Sequence, residues 1–326
     1  MDHTAQIPIN ALDKHILFEL ERNCRIADVK LAKLVKKSKD AVRYRIKRLE
    51  EQKIITSYKT WIDPCKFGYY SETLYLTCKM LPDRKRTLID EICNDPRTYW
   101  IGVAEGVWNI GATFFVKNKQ EFYELKQKLL AKYSDIILNT TITSLVSLSV
   151  HEKTFFIDKP SKLITFSEQV GDEKLDALSI KMLERLFSDA TINVATLAYD
   201  LKTTVDKVRQ RMQKMEANKI IVKYTAVIDY QRIGYEYYKA FIYLQTTEPK
   251  TMSDMYRYFE SSPLIINIVK ELAPWDLELV IFARSFSEYE QAIAGYTKKF
   301  AATLNKIEIA TMGTDILYPC KKPLLE

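Results

Sequence analysis

Lys36-Lys37-Ser38-Lys39-Asp40-Ala41-Val42-Arg43-Tyr44-Arg45-Ile46-Lys47-Arg48-Leu49-Glu50 is the stretch whose periodicity gives access to the rest of the chain. Val42, Ile46 and Leu49 fall at i, i+4 and i+7, one narrow apolar face of a helix. Ser38 stands just ahead, where a hydroxyl accepts from the first free backbone N–H groups and caps the helix. At about 100° per residue, the opposite face carries Asp40, Tyr44, Lys47 and Arg48, with Arg43 at its edge. A cationic, aromatic outer face on a short, apolar-anchored helix suits a DNA major groove. An ordinary surface helix in a lysine-rich protein has the same pattern, so this helix alone leaves both readings open.

Upstream, Leu12, Ile16, Leu17 and Leu20 are spaced for one buried helical face, with Asn10 as its cap. Residues 27–34 continue the pattern through Val29, Leu31, Ala32 and Leu34, and Lys36-Lys37 form a short polar turn. Three short helices, the last two joined tightly, predict a helix-turn-helix. Ile54-Ile55 and residues 58–62 read as a small strand, which Asp63-Pro64 ends because the residue before proline is pushed out of helical geometry. The texture then changes to strand 71–80, helix 84–94, strands 99–104 and 108–116, helix 119–133 and strand 136–150. This β-α-β-β-α-β order is that of a ferredoxin-like sheet with helices on one face. Residues 151–174, with Lys159-Pro160-Ser161 and Gly171-Asp172-Glu173-Lys174, read as a linker.

Then the pattern starts again. A shift of 166 residues places Leu12, Ile16, Leu17 and Leu20 on Leu178, Met182, Leu183 and Leu186, and Val42-Arg43 on Val208-Arg209. Arg45, Leu49 and Glu50 land on Arg211, Met215 and Glu216, Ile54-Ile55 on Ile220-Ile221, and Gly68-Tyr69 on Gly234-Tyr235. A one-residue insertion aligns Gly106-Val107-Trp108-Asn109 with Ala273-Pro274-Trp275-Asp276. The expected fold class is α+β: a tandem duplication of a winged-type helix-turn-helix plus a ferredoxin-like βαββαβ domain. The boundaries are 1–63 and 64–150 for the first copy, 151–174 for the linker, and 175–229 and 230–326 for the second.

Composition narrows the classes. The 326 residues give ample core for several domains, and the net charge is +7. Residues 10–60 hold 14 Lys/Arg against 7 Asp/Glu, a balance of +7, so the remainder sums to zero. Charge concentrated at one end of a neutral body is the footprint of a module that binds a polyanion. The five cysteines form no C-x-x-C pair and His3, His15 and His151 no ligand spacing, so no metal site, cofactor or disulfide framework is signalled. His151 reads as a surface residue. No apolar run approaches a membrane span and no signal peptide is visible, so the expected location is the cytoplasm.

Leu12-Asp13, Ile16-Leu17, Arg45-Ile46-Lys47-Arg48-Leu49-Glu50 and Ile54-Ile55 together resemble the Lrp/AsnC (feast/famine) transcriptional regulators, twice in one chain. The resemblance implies a β-α-β-β-α-β effector domain, pairing of units through their sheets and further assembly. It also implies an amino acid or related metabolite bound near the turn between the middle strands. Where the family has Gly-x-Tyr/Trp-Asp at that turn, this chain has Asn109 in one copy and Ala273 in the other. Two tethered units would form the pair intramolecularly, at an effective concentration around millimolar, giving a pseudo-dimer able to oligomerise further.

The expected partner is double-stranded DNA, met by Lys33, Lys36, Lys37, Ser38, Lys39, Arg43, Tyr44, Lys47 and Arg48 in the first copy and by Lys202, Thr204, Lys207, Arg209 and Gln210 in the second. Arg45 lies next to the buried stripe, where a structural pair with Glu50 or another acid stands as the reading beside a DNA contact. The second copy is electrically thinner: Lys30, Lys33, Lys37 and Lys39 correspond to Thr196, Tyr199, Thr203 and Val205, and residues 175–226 carry 9 basic against 6 acidic groups, a balance of +3. Gly106, Trp108, Asn109, Trp275 and Asp276 are the expected effector positions, with simple aromatic packing as the rival reading. No catalytic residue is identified, and no titratable cluster points to acid–base work. Two alternatives remain: a sirohaem-decarboxylase-like enzyme, since those enzymes share this combined fold, and an architectural chromatin protein.

Overall fold

The computed structural model describes residues 6–157, 163–166 and 169–317; His3, Cys320 and part of the expected linker lie outside them. The first repeat runs α1 (Ala11–Arg22), α2 (Asp28–Leu34), α3 (Lys39–Glu51), β1 (Ile55–Ile62), β2 (Tyr70–Cys78), α4 (Pro82–Asn94), β3 (Thr98–Gly106), β4 (Ile110–Val116), α5 (Lys119–Lys132) and β5 (Ile137–His151). A short β6 (Leu163–Phe166) follows. The second repeat runs α6 (Ala177–Ser188), α7 (Val194–Asp200), α8 (Val205–Ala217), β7 (Ile221–Ile228), β8 (Glu236–Leu244), α9 (Pro249–Glu260), β9 (Ile265–Leu272), β10 (Leu277–Ala283), α10 (Phe286–Lys299) and β11 (Leu304–Leu317). Two compact units result, and each draws on both repeats. One gathers the described residues of 1–63, 152–162 and 174–235; the other, those of 64–151, 163–173 and 236–326.

In the helix-turn-helix unit the local signals act as their chemistry requires. The Asn10 side chain accepts the Asp13 N–H at 3.0 Å while Asp13 takes the Asn10 N–H at 3.2 Å, a reciprocal cap. Ser38 Oγ accepts the Ala41 N–H at 3.2 Å and starts α3. Lys36 sits at φ 54° and its counterpart Lys202 at φ 51°. This left-handed residue turns α2 away, so that Lys37 N–H reaches the Ala32 carbonyl and Thr203 N–H that of Ala198. Ile16, Leu17, Val42 and Leu49, with Met182, Leu183, Val208 and Met215, are buried, each contributing about 1.5–3 kcal/mol of apolar burial.

The strand expected as a wing pairs across the repeats. β1 runs antiparallel to β7, with Tyr58 opposite Ala226 and Thr60 opposite Tyr224. The ladder is closed at its ends by Asp63 N–H to the Ile220 carbonyl (3.0 Å) and Asp229 N–H to that of Ile54 (2.8 Å). α1 packs on β7 and α6 on β1. The Thr60 hydroxyl donates to the Leu186 carbonyl at 2.9 Å, and that of Thr225 to Glu21 at 2.7 Å.

The stretch expected as a linker is held wherever it is described. Lys153 Nζ lies 3.4 Å from the Glu21 carboxylate, Arg22 pairs with Glu152 at 2.7 Å, and Phe155 and Phe156 pack on Tyr230 and Tyr235 in the helix-turn-helix unit. β6 extends β5 in the sheet unit, and Gly171 N–H donates to the Cys65 carbonyl at 2.8 Å. His151, expected on the surface, is buried at the end of β5 because β6 continues the ladder beside it.

In the sheet unit each repeat supplies four antiparallel strands, in the orders β5-β2-β4-β3 and β11-β8-β10-β9. The pairings β3–β11 and β5–β9 join the two sets, and β2–β5 completes the ring. Side chains alternate across it. Leu74, Leu76, Ile110 and Phe114 form one core with α4 and α5, and Tyr238, Ala240, Ile242, Leu277 and Leu279 another with α9 and α10. The opposite faces contribute Tyr75, Trp100, Trp108, Phe241, Trp275 and Met312 to a third core shared by both repeats. No helix among the described residues is long and apolar enough to cross a membrane.

Candidate functional site

The outer face of α3 and the turn before it form the first surface of interest. Lys33, Lys36, Lys37, Ser38, Lys39, Arg43, Tyr44 and Lys47 are exposed, Tyr44 at 67%, whereas Arg48 is half-buried. Arg43 Nε is held at 2.6 Å by Asp28 of α2, and Lys47 Nζ stands 3.8 Å from Glu51. Arg45 pairs with Asp13 at 3.3 Å and not with Glu50, whose carboxylate accepts the Tyr58 hydroxyl at 2.6 Å. Burial and then that carboxylate push the Tyr58 phenol up, so it stays a donor. Arg45 is thus a tie between α3 and α1.

The second copy repeats the frame with different atoms. Arg211 binds Asp176 at 2.7 Å, and Glu216 accepts the Tyr224 hydroxyl at 2.8 Å. The acid has moved from the third helical residue, Asp13, to the cap position, Asp176, which also accepts the Ser179 N–H at 2.8 Å. Hydrogen bonds from Arg211 and Ser179 hold the Asp176 carboxyl well below the usual carboxylate range. Lys202, Thr204, Lys207, Arg209 and Gln210 are exposed. Thr204 is committed to capping α8 and Arg209 lies 3.5 Å from Asp206. Tyr199, 85% exposed, stands where the first copy has Lys33.

The expected effector residues divide. Trp108 and Trp275 come together around Tyr75, with ring centroids 5.0 and 5.5 Å from it. Asn109 and Asp276 turn away from that cluster: Asn109 Oδ1 accepts the Cys78 N–H at 2.8 Å and Asp276 Oδ2 that of Leu244 at 2.7 Å. Both side chains pin the turn to the neighbouring strand, which is why a short carboxylate or amide stands in both copies. Gly106, at φ 131°, lets the chain pass β11, since a Cβ there would stand 2.3 Å from the Ile309 carbonyl oxygen.

A titratable cluster that the sequence reading did not anticipate lies on the same inner face. Lys239 Nζ pairs with Glu278 Oε1 at 2.7 Å, and Glu278 Oε2 accepts the Tyr75 hydroxyl at 2.9 Å. Glu271 accepts Trp275 Nε1–H at 2.8 Å. Desolvation, then the Glu278 carboxylate, raise the Glu271 carboxyl well above its ordinary range. The strand pattern held a signal: in Tyr237-Tyr238-Lys239-Ala240-Phe241, lysine alternates with aromatics on one face. A separate groove of about 490 Å3 between α4 and α5, lined by Glu91, Arg97, Lys128 and Tyr133, contains none of the expected site residues.

The sequence pattern of the AsnC-type helix-turn-helix domain matches residues 9–50, spanning α1, α2 and nearly all of α3. The chain carries an AsnC-type helix-turn-helix domain. An uncharacterised HTH-type transcriptional regulator of Pyrococcus horikoshii is 23% identical over 145 residues, covering 44% of this chain and 90% of that protein. The proline dehydrogenase transcriptional activator of Rhodobacter capsulatus is 36% identical over 80 residues, 24% of this chain and 51% of that protein. Among solved structures, the sirohaem decarboxylase NirDL superposes with a TM-score of 0.63 at 12% identity, covering 95% of this chain and 93% of that one. At that identity the likeness speaks for the fold alone, which the two chains share over nearly the whole length. Within the matched residues, Asp13, Arg45 and Glu50 are tied into the framework, whereas Lys33, Lys36, Lys37, Lys39, Arg43, Tyr44 and Lys47 stand on the exposed outer surface.

Proposed function

We propose that this Lrp/AsnC-type chain regulates transcription as an intramolecular pseudo-dimer, its first helix-turn-helix supplying most of the DNA affinity. The observation that carries the reading is α3 itself. Its frame is tied by Ser38 and Arg45, while Lys36, Lys37, Lys39, Tyr44 and Lys47 remain exposed at its leading edge and outer face. Phosphate contacts from such cations set the register on DNA, and the tyrosine and arginine beside them meet base edges. The pairing of β1 with β7 and the eight-strand ring support one chain doing the work of two. Footprinting with a salt series, combined with native mass measurement of the complex, tests this. One chain should protect two unequal half-sites; two chains per site, each protecting one half, would sink the pseudo-dimer.

The full-length likeness to a decarboxylase favours a second reading, a tetrapyrrole enzyme. A Soret band on adding haem, with no DNA retardation, would establish it in place of regulation. Control by a small metabolite would act at the cluster around Trp108 and Trp275, and titration followed by tryptophan fluorescence reads it directly. A further homo-oligomer of pseudo-dimers is read by light scattering.

A further inference from the structure

The inner face of the sheet unit holds a formed cation site whose occupant comes from the same chain. Glu278, 1% exposed, has both oxygens engaged: one takes the Lys239 ammonium at 2.7 Å and the other the Tyr75 hydroxyl at 2.9 Å. The ammonium stands 4.1 Å from the centre of the Trp100 ring, and 5.7 and 5.9 Å from Tyr75 and Trp108. Trp100 is held in that position by a pair of glycines. Gly102 and Gly111 are opposite each other on β3 and β4, and a Cβ on either would stand 2.4 or 2.8 Å from the indole. The wall against which the ammonium rests therefore exists only because those two positions carry no side chain.

A buried carboxylate at ion-pair distance, a flat indole at cation–π distance and little access for water are the requirements of a primary ammonium group. Lys239 meets them from β8, the strand beside that of Glu278: carboxylate and lysine come from the second repeat, the phenol and indoles from the first. Trp108, 3% exposed, brings a buried Nε1–H with no hydrogen-bond partner into the same cluster, so the polar lining exceeds what Lys239 and Glu278 alone consume.

We propose that this is a binding site for a primary alkylammonium group, permanently filled by the chain's own Lys239. The native protein then admits no free amine here, and any metabolite acting at the Trp108–Trp275 cluster must be recognised through something other than its amino group. The proposal is independent of DNA binding and its test does not involve DNA.

Lys239→Ala removes Cγ, Cδ, Cε and Nζ, the heavy atoms of n-propylammonium. The full-length variant is titrated with n-propylammonium chloride against sodium chloride of equal ionic strength, following tryptophan fluorescence and Tm. A saturable fluorescence change is expected, with Tm rising by roughly 5 °C at a hundredfold excess over Kd. Wild type should not respond, n-propanol should not substitute, and Glu278→Gln in the Lys239→Ala background should abolish the response. Should Lys239→Ala fail to fold alone, its refolding yield with and without the amine replaces Tm. A folded variant indifferent to the amine, a wild-type response of equal size, or equal rescue by n-propanol each overturns the proposal. So does an unfolded variant that the amine does not recover while the neutral pair Lys239→Met with Glu278→Gln folds.

Discussion

Lys33, Lys37 and Lys39 of the first repeat stand exposed around α3, and their counterparts in the second are Tyr199, Thr203 and Val205. On the inner face of the sheet unit the bias reverses. Lys239, Glu271 and Glu278 of the second repeat take the places of Thr73, Ala104 and Gly111 of the first. One copy of the unit has put its charge where a polyanion can reach it; the other has put charge where only the paired repeat can. Both copies keep the scaffold. The Glu50–Tyr58 and Glu216–Tyr224 bonds, the left-handed lysines and the closing contacts of Asp63 and Asp229 recur at one offset. Duplication inside one chain permits this division, because the copies always meet each other and need not be self-complementary.

The sharpest way to break the comparison is to remove an interior charge. Glu278→Gln leaves the Lys239 ammonium buried without its counter-charge, and stability measured by denaturant unfolding should fall by about 3–5 kcal/mol. Adding Lys239→Met to that variant should restore most of the loss, since a neutral pair of similar volume does not bear the desolvation of two ions. An unchanged midpoint for Glu278→Gln alone would mean the pair is not confined as described.

On the outside, neutralising Lys36, Lys37 and Lys39 together should weaken DNA binding on the order of 10²-fold near 0.1 M salt and lower the salt slope by roughly 0.9 for each phosphate left without its lysine. The same operation at Lys202 and Lys207 should cost much less. Equal losses, read by fluorescence anisotropy on one DNA fragment, would remove the claim that the first domain dominates.

Glu271 gives a smaller and pH-dependent contrast. Its carboxyl is raised by burial and by Glu278, to about 8 in the folded chain against an ordinary value near 4.5. The folded state therefore binds the proton more tightly than the unfolded one between those values, and stability declines as pH rises through that window. Glu271→Gln should remove a decline of at most about 1.4 kcal/mol per pH unit, leaving the variant more stable than wild type near pH 8. Ala104, its counterpart in the first repeat, contributes no such slope.

Much of this was legible because its signals are local. Asn10, Ser38 and the i, i+4, i+7 spacing fix helices through contacts a few residues apart, and the 166-residue offset exposed the duplication without any partner sequence. The interior cluster was not legible: Lys239, Glu278 and Tyr75 are joined by the ring of strands, across up to 203 residues of chain, and no local period encodes which lysine faces which carboxylate. The hydrogen bonds of Asn109 and Asp276 were hidden for a related reason. The resemblance implied an effector near their turn, and nothing local shows that a short acceptor there takes the N–H of the adjacent strand. In the stretch expected as a linker, Pro160 and Gly171 are visible in composition, whereas the packing of Phe155 and Phe156 on Tyr230 is set by residues far away in the chain.

The smallest predicted effect concerns how the two copies fasten α1 and α6. In the first, a neutral Asn10 caps the helix and Asp13 holds Arg45; in the second, Asp176 does both, capping α6 and holding Arg211. Asp176→Asn keeps an acceptor for the Ser179 N–H and loses only an exposed ion pair, a change of about 0.2–1 kcal/mol. Asp176→Ala loses the cap as well and should cost about 1 kcal/mol more. Asn10→Ala should cost the cap alone, since Asp13 still binds Arg45. Because the Asp176 carboxyl is held below its ordinary value by Arg211 and Ser179, its contribution is present above about pH 4 and fades as pH falls further. Thermal unfolding at pH 7 and pH 3 should therefore separate wild type from Asp176→Asn at the higher pH and by less at the lower. A gap of equal size at both would assign the difference to shape and not to charge.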